Sequence, residues 1–309
     1  MIPNEATTTT FADFCLGMYV LVDELWTRVG AWYRRPGPTP ACSDSEVLTM
    51  VLVGECRGWD LETEAVASWQ EHRDLFPHVP ERSRFNRRRR ALQYALNDVR
   101  RVALAHLDLA ADRQCAIDSL PVPVMHFHLV PSSPATQEWR AAGARYGHVA
   151  SKKQTIFGYK LHLLVTLGGV ILDFALAPAN ITDLEAGTEL LAGHHDLLVL
   201  GDKGYISAAV ATYLRQTAGV TLLTVPRANQ RAQLPPAAVA LHARWRQIVE
   251  TVNDQLSAQF HVEENHAKGA AGLYARLYSK LTAHTLCIVL NRRGDAPDRL
   301  RLKQLAFPN

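Results

Sequence analysis

Cysteine is scarce in this 309-residue chain and follows no recognisable spacing. The five cysteines are odd in number and widely separated, and no two of them form a C-x-x-C pair. These features argue against a disulfide framework and fit a protein of the reducing cytoplasm. The first eleven residues, MIPNEATTTTF, have neither a basic start nor an apolar core, so we expect no signal peptide.

Long hydrophobic runs are also absent. The most apolar stretch, residues 161–177, is interrupted by a histidine, two glycines and an aspartate, which indicates a hairpin and not a membrane span. We therefore expect no membrane partner. Hydrophobic residues still make up 48% of the chain, which is enough for a folded core and argues against a disordered protein.

Excess charge is small, because the formal net charge is only +3. Its distribution is uneven, since residues 82–101 contain eight arginines and a single acid, Asp98. Such a stripe is typical of a surface that binds nucleic acid. The alternative is a helical bundle with a solvated basic face. The candidate DNA-binding residues in this stripe are Arg84, Arg87, Arg88, Arg89 and Arg90.

Residues 11 to about 109 have the pattern of an all-helical region, because their apolar residues recur at spacings of three to four. Ser43 or Ser45 is a candidate N-cap of one of these helices. Glu46, three residues after Ser43, would complete a capping box. Gly58 is the candidate end of that helix.

After about residue 113 the pattern changes to alternating strands and helices. The order is strand, hairpin, helix, strand, helix, strand, helix, which predicts a mixed sheet with packed helices and matches the ribonuclease-H-like order. Residues 126–153 are expected to be rich in loops. The predicted strands are 115–118, 157–166, 170–177, 197–200 and 220–225, and the predicted helices start at residues 182, 207 and about 237, the last one running to about 260.

Three acidic residues occupy positions typical of a catalytic site. Asp118 ends the first predicted strand, Asp202 follows the strand at 197–200, and Glu250 lies within the long last helix. The ends of neighbouring strands form a crevice, to which a packed helix can add an acid. Carboxylates suit Mg or Mn and not zinc, and two such ions about 4 Å apart can activate the attacking oxygen and stabilise the leaving oxygen of a phosphodiester. The alternative is that Asp118 and Asp202 only cap turns.

Four motifs around these acids occur in a recognisable order. They are DSLPVP from Asp118, GYKLH from Gly158, GDKGY from Gly201 and RQIVET from Arg246. The set closely resembles DDE transposases of bacterial insertion sequences, in particular the insertion-sequence family numbered 982, a relative of the insertion-sequence-4 group. NRRR from Asn86 and KLTAH near residue 280 fit the same family, and the resemblance covers roughly residues 40–293.

The resemblance implies a helical DNA-binding region at 1–109, a ribonuclease-H-like catalytic domain at 110–293 and a C-terminal tail at 294–309. It also implies that Asp118, Asp202 and Glu250 are catalytic and hold two Mg ions, for which Mn can substitute. The partners would be the terminal inverted repeats of the element and a target DNA. Water would cleave the strand, and the freed 3′-hydroxyl would then attack the target. Joining two ends suggests a homodimer on DNA, associated with the bacterial nucleoid.

The chain departs from the insertion-sequence-4 pattern at two positions around Glu250. That group carries a Tyr before the Arg and a Lys seven residues after the Glu, where this chain has Ala243 and Ser257. The resemblance leaves one phosphate contact unassigned, which Lys268 or a residue of a second subunit could provide.

Five further residues are candidates for DNA contact. Lys160 and His162 alternate on one face of a predicted strand, and the alternative for His162 is a packed core histidine. Lys203 and Tyr205 follow Asp202 closely and could clamp the backbone or stack on a base, although Tyr205 could equally be a packing residue. Arg246 lies one turn before Glu250 and could contact phosphate or orient that carboxylate.

The helix around Glu250 carries a rival for the third metal ligand. Because apolar residues flank Glu250, we expect its carboxylate to pack on the sheet, where a cation would offset the lost solvation. Asp254, one turn further along, is the serious rival. Glu263 and Glu264 are expected to lie beyond the regular helix and to be exposed.

Three other functions are compatible with parts of the sequence. A metal-dependent nuclease of the same fold would use the same three acids without joining strands. A domesticated DNA-binding protein would not need them, and all three are present. A phosphatase that uses Asp118 as its nucleophile would need a D-x-D motif, and Leu120 occupies the third position.

Overall fold

The computed structural model describes residues 10–106, 108, 111–224, 235–294 and 299–307. The chain forms two compact units. The first, called the helical unit below, contains residues 1–106, 258–261 and 274–309. The second, called the sheet unit, contains residues 107–257 and 262–273. The division expected from the sequence, with boundaries at 1–109, 110–293 and 294–309, stays a prediction.

The secondary structure consists of helices and one sheet. The helices are α1 (Phe11–Val29), α2 (Asp44–Cys56), α3 (Glu62–Glu71), α4 (Arg82–Ala91), α5 (Gln93–His106), α6 (Ala135–Ala141), α7 (Asp183–Ala192), α8 (Ala208–Ala218), α9 (Pro236–Ala258), α10 (Ala270–Arg293) and α11 (Leu302–Ala306). The strands are β1 (Gln114–Met125), β2 (Arg145–Val149), β3 (Gln154–Thr166), β4 (Ile171–Pro178), β5 (Leu198–Gly201) and β6 (Thr221–Thr224). In the described part of the chain, no helix is both long and apolar enough to cross a membrane.

The predicted capping box of the helical unit is confirmed at the start of α2. Ser43 Oγ accepts a 3.1 Å hydrogen bond from the backbone N–H of Glu46, and the Glu46 carboxylate accepts one from the backbone N–H of Ser43. Each bond satisfies a backbone donor near the helix N-terminus that has no partner within the helix. Gly58 has a φ of +70°, a left-handed conformation that suits glycine just after a helix end, which confirms the predicted end of α2.

A buried lysine in the helical unit is paired with two acids. Lys280 Nζ lies 2.9 Å from Glu55 Oε2 and 3.0 Å from Asp60 Oδ1, and all three side chains are at most 10% exposed. A buried charge needs such compensation, because removing one partner leaves the other desolvated and unpaired. This network gives Lys280, part of the KLTAH motif, a structural role.

The sheet has the predicted mixed character. The strand order is β2-β3-β1-β5-β6, and β4 also pairs with β3. The pairs made by β3 are antiparallel, whereas β5 pairs in parallel with both β1 and β6. With helices flanking this sheet and a helical region before it, the fold is ribonuclease-H-like, as predicted. The predicted hairpin (β3–β4) and the helices capped by Thr182 and Ser207 (α7 and α8) are also confirmed.

One face of the sheet packs on α7 and α8. Alternate residues point to one face of a strand, and Ile117 of β1, Val199 of β5 and Leu222 of β6 are buried in a single cluster with residues of these two helices. Tyr205 is part of this cluster and lies against Gly187 of α7. A Cβ added to Gly187 would lie 2.4 Å from the Tyr205 ring. Glycine at this position therefore permits the close approach of the ring.

Two local predictions were wrong. Asp118 does not end the first strand, because β1 continues to Met125 through Pro121 and Pro123. The prolines are tolerated because β5 pairs with β1 only as far as Ile117, so that edge of β1 needs no N–H donors beyond it. Residues 126–153 are also not only loops, since they contain α6 and β2. Strand β2 is short, and β3 is its pairing partner in the described sheet.

Candidate functional site

The parallel strands β1 and β5 place two of the predicted acids side by side. The last residues in register are Ile117 and Gly201, and Asp118 and Asp202 follow them directly. Beyond this pair the two strands separate, because β1 continues along β3 whereas the chain after Gly201 turns into a short 3-10 segment. The crevice predicted at the strand ends is therefore present, although Asp118 lies within its own strand.

The Asp118 carboxylate is fixed by two hydrogen bonds. Its Oδ1 accepts a 2.8 Å bond from the backbone N–H of Ser119, and its Oδ2 accepts a 2.8 Å bond from Nδ2 of Asn253. Burial raises the pKa of Asp118 to about 6, and the negative charges of Asp202 and Asp183 add to this effect. Burial beside two like charges is a setting that favours a bound cation.

Asp202 is more exposed than Asp118. Its Oδ1 accepts a 2.7 Å hydrogen bond from the backbone N–H of Gly204 and so caps the short 3-10 segment. Asp202 therefore does cap a turn, as the alternative to a catalytic role expected. Capping leaves its second oxygen available, so it does not exclude a role in metal binding.

Asp183 is a third carboxylate in this region that the sequence analysis missed. It is the first residue of α7, where it accepts a 3.0 Å bond from Lys160 Nζ and a 3.2 Å bond from Ser119 Oγ. Lys160 is only 13% exposed, so its charge is directed to Asp183 and not to the solvent. In the sequence, an acid after Thr182 resembles an ordinary first-turn residue of a helix.

The long helix α9 brings Arg246 and Glu250 to the same pocket as the two aspartates. Arg246 Nε donates a 2.8 Å hydrogen bond to Glu250 Oε1, and the two side chains are 66% and 55% exposed. Glu250 is therefore not packed on the sheet, contrary to the expectation from its apolar neighbours. Those neighbours do pack, since Val249 and Val252 are buried. Adjacent helix positions face different directions, so burial of Val249 does not carry over to Glu250.

The pocket between these elements has a volume of about 400 Å³. Both apolar and polar side chains line it, and they include all three predicted acids together with their rival Asp254. The ionisable and amide side chains that line it are Asp118, His148, Lys152, Lys160, Asp183, Asp202, His242, Arg246, Glu250, Asn253 and Asp254. The acids that the sequence analysis placed far apart in the chain thus line one space.

The donor chemistry of the pocket fits a hard divalent cation. No three His, Cys, Asp or Glu side chains of the described residues are already grouped as a metal site. The fit depends instead on the paired positions of Asp118 and Asp202, the raised pKa of Asp118, and a buried amide oxygen of Asn253 that has no hydrogen-bond partner among the described residues. Oxygen donors of this kind are those that Mg and Mn prefer.

Two of the predicted DNA contacts lie in the core. His162 and Tyr205 are 0% and 2% exposed, and His162 Nδ1 lies 3.4 Å from the Tyr205 hydroxyl. Neither side chain can reach a phosphate or a base, so the packing alternative is correct for both. Each lies within three positions of a residue of the pocket, Lys160 in one case and Asp202 in the other, so its motif does not reveal that its own side chain is buried. Lys203, in contrast, is exposed.

The arginine stripe of the helical unit divides into two sets. Arg88 lies 2.6 Å from Asp44 and Arg89 lies 3.1 Å from Glu55, and both arginines are at most 20% exposed. These ion pairs give both arginines a structural role, and their contact with DNA stays a prediction. Arg84 is exposed, as predicted for a binding surface. A groove on this unit is lined by Glu62, Arg82, Ser83, Asn86, Arg87 and Arg90.

Ser257, which occupies the position of a lysine in the insertion-sequence-4 group, is close to another lysine, Lys152. Ser257 Oγ donates a 2.9 Å hydrogen bond to Glu263 Oε1, and Lys152 forms an ion pair with the other oxygen of Glu263. Glu263 is thus half-buried and not fully exposed as expected. Lys152 lines the pocket, so a lysine is present in this region even though position 257 is a serine. Lys268 is exposed.

Comparison with known protein families gives one match. The model of a family described as a transposase DDE domain matches residues 110–286, which is more than half of the chain. The match begins just before β1 and ends within α10, and it includes the strands and the helix that carry Asp118, Asp202 and Glu250. No curated protein and no solved structure matches the chain.

Proposed function

Because this chain belongs to the family of transposase DDE domains, we propose that it cleaves the ends of a bacterial insertion sequence and joins them to target DNA. Transposases act on DNA, and DDE transposases generally depend on divalent metal ions. The observation that carries the proposal is the shared position of Asp118 and Asp202, directly after the last paired residues of two parallel strands, in a pocket that Glu250 also lines.

Asp118, Asp202 and Glu250 are the proposed ligands of two Mg ions, with Mn as a substitute. Ions bound there would activate the attacking oxygen and stabilise the leaving oxygen of the phosphodiester. Asp118 is held in place by the Ser119 backbone and by Asn253, which limits the reorganisation needed before the reaction.

The proposed reaction has two transfers at phosphorus. In the first, the oxygen of water bonds to phosphorus, the bond from phosphorus to the 3′-oxygen breaks, and the 3′-oxygen leaves as a hydroxyl. In the second, that hydroxyl oxygen bonds to a phosphorus of the target DNA and displaces another 3′-oxygen. The number of phosphodiester bonds is unchanged in the second step, so it requires no external energy source.

Arg246 and Lys203 are the exposed basic groups proposed to contact DNA near the acids. Arg246 lies in the pocket with its guanidinium 66% exposed, so it can bind Glu250 and a phosphate with different N–H groups. Lys160 has a different proposed role, since its ion pair with Asp183 orients that carboxylate beside Ser119.

The exposed arginines of the helical unit are the proposed surface for the terminal inverted repeats. Arg84, Arg87 and Arg90 are exposed, and Arg82 lies in the same groove as Arg87 and Arg90. Neutralising several phosphates with such a surface releases counterions and gives sequence-independent affinity. We therefore assign end binding to the region 1–109 and chemistry to the region 110–293.

We propose the insertion-sequence family numbered 982 as the specific family within the DDE transposases. Its support is the order of the four motifs that start at Asp118, Gly158, Gly201 and Arg246. Two element ends must be joined to one target, so a homodimer assembled on DNA is the proposed active form. Such a complex would act on the bacterial nucleoid.

The test is a reaction of the purified full-length protein with linear DNA that carries the element's ends and with a supercoiled target. With Mg or Mn, we expect nicked ends first and then joined products. EDTA should abolish both, as should Asp118→Asn and Asp202→Asn. Cleavage without any joined product would identify a nuclease of the same fold, and full activity in EDTA would overturn the metal mechanism.

A further inference from the structure

A buried oxygen beside Asp118 has no partner among the described residues. Asn253 lies on α9 and lines the pocket. Its Nδ2 donates the 2.8 Å hydrogen bond to Asp118 Oδ2, whereas its Oδ1 is inaccessible to solvent and accepts no hydrogen bond from the described part of the chain. Buried carbonyl oxygens are nearly always satisfied in folded proteins, and where side chains do not do so, a water or an ion does.

The charges around this oxygen favour a cation over a neutral partner. Asp183 is neutralised by Lys160, at 3.0 Å. Asp118, which is half-buried, and Asp202 form no ion pair within 4.0 Å with any described residue. Arg246 is hydrogen-bonded to Glu250, and its positive charge also interacts with Asp118 and Asp202. Three carboxylates that share one guanidinium still leave net negative charge beside the amide oxygen of Asn253, and a divalent cation would offset it.

Asn253 connects α9 to Asp118 through its hydrogen bond. Arg246, Glu250 and Asn253 are spaced four and three residues apart, so they lie on one face of the helix. One oxygen of Glu250 is held by Arg246 in an exposed ion pair. Asn253, one turn further along, reaches the carboxylate at the centre of the site.

We propose that Asn253 supplies a neutral oxygen ligand, Oδ1, to a divalent cation that Asp118 and Asp202 hold. Its Nδ2 fixes the orientation of the amide by donating to Asp118. Amide oxygens are ordinary ligands of hard cations, and a neutral ligand adds coordination without adding a further negative charge to a crowded site. This inference rests on the proposed function, because it requires a cation at the two aspartates.

The experiment measures Mn²⁺ binding to the full-length protein without DNA, by titration calorimetry and by the Mn²⁺-induced rise in unfolding temperature. Asn253→Ala should weaken Mn²⁺ binding by about 10-fold or more, in the range expected when a group that supports a metal site is lost. Gln247→Ala is the matched control, because Gln247 lies on the same helix, is exposed and does not line the pocket. It should bind Mn²⁺ like the wild type.

Asn253→Asp separates a ligand from a residue that only orients Asp118. The aspartate keeps an oxygen at this position and loses the N–H donor. A ligand role predicts Mn²⁺ affinity at or above that of the wild type. An orienting role predicts a loss as large as that of Asn253→Ala, which would overturn the inference. If Asn253→Ala does not fold, as judged by circular dichroism, Asn253→Asp decides alone.

Asp118→Asn and Asp202→Asn distinguish failure of the inference from failure of the proposed function. If both bind Mn²⁺ as tightly as the wild type, the metal site itself is wrong and the role of Asn253 is wrong with it. If both weaken binding while Asn253→Ala does not, the metal site stands and Asn253 is not part of it.

Discussion

Ile117 of β1 and Gly201 of β5 form the last pair in the parallel register between these strands. Asp118 and Asp202 are the next residue on each strand, so the hydrogen-bonded sheet itself fixes where both carboxylates start. Proline at 121 and 123 reinforces this arrangement, because neither residue can donate a hydrogen bond that would extend the pairing. The sequence of β1 after Asp118 therefore helps to keep the crevice open.

Glu250→Gln should abolish both cleavage and strand joining. The substitution keeps the side-chain volume and removes the charge that faces the pocket with Asp118 and Asp202. We expect a loss of at least about 1000-fold in cleavage rate, equivalent to ~4 kcal/mol in the barrier. DNA binding should stay within a few-fold, because it depends mainly on basic groups. The measurement is single-turnover cleavage of end DNA.

Asp254→Asn is the matched comparison, since Asp254 lines the same pocket one turn further along the helix. It should retain measurable cleavage. An inactive Asp254→Asn together with an active Glu250→Gln would move the third ligand by one turn.

Replacing Arg82, Arg87 and Arg90 by Ala should weaken DNA binding and reduce its dependence on salt. Each phosphate contact contributes about 0.9 to the slope of log affinity against log salt, so the slope should fall by up to roughly 3. The three side chains share one groove. Fluorescence anisotropy at several salt concentrations measures the slope.

Arg88→Ala and Arg89→Ala provide the contrast within the same helix. Because these arginines pair with Asp44 and Glu55, we expect a lower unfolding temperature and an unchanged slope. A slope that falls only when Arg88 and Arg89 are replaced would reverse the assignment of the two sets.

Gly187→Ala should destabilise the protein, although alanine normally favours a helix over glycine. The added Cβ would lie 2.4 Å from the Tyr205 ring, which is buried and cannot move away easily. Overpacking of this kind costs about 1–3 kcal/mol in the free energy of unfolding. Gly17→Ala, in α1, should instead stabilise by up to ~1 kcal/mol, because its Cβ would meet Leu290 at an ordinary 3.6 Å. Equal effects of the two substitutions in chemical denaturation would contradict the packing argument.

His162 should make stability depend on pH in the acid range. Burial lowers the pKa of His162 to about 4, against an ordinary value of 6.5. The unfolded chain therefore binds a proton between these values that the folded protein does not. The contribution of neutral His162 to the free energy of unfolding is therefore fully present above pH 6.5. It is lost progressively as the pH falls toward 4, by up to roughly 3 kcal/mol.

His162→Gln removes the titrating ring, so unfolding temperatures measured between pH 4 and 7 should vary less than in the wild type. His128→Gln is the control, because His128 is exposed, and it should keep the wild-type pH dependence. An identical pH dependence of the His162 variant and the wild type would show that this histidine does not titrate differently on unfolding.

The sequence alone determined the order of strands and helices outside residues 126–153 and the caps at Ser43, Thr182 and Ser207, and it singled out Asp118 and Asp202 as candidate acids. These features depend on local patterns, because hydrophobic period, capping chemistry and the acid after a buried strand are all legible within a few residues. The order of the motifs indicated a DDE transposase, and the family match to residues 110–286 supports this independently.

Only the tertiary structure decided which side chains face the pocket and which are already engaged. His162 and Tyr205 belong to buried packing, Arg88 is held by a distant acid, and Asp183 and Asn253 reach the site from helices far away in the chain. Exposure and pairing depend on neighbours brought together by folding, so adjacency to a motif could not reveal them. A shift of two residues in the register of a strand, or of one turn in the position of a helix, would change every such contact. Local sequence does not determine these positions.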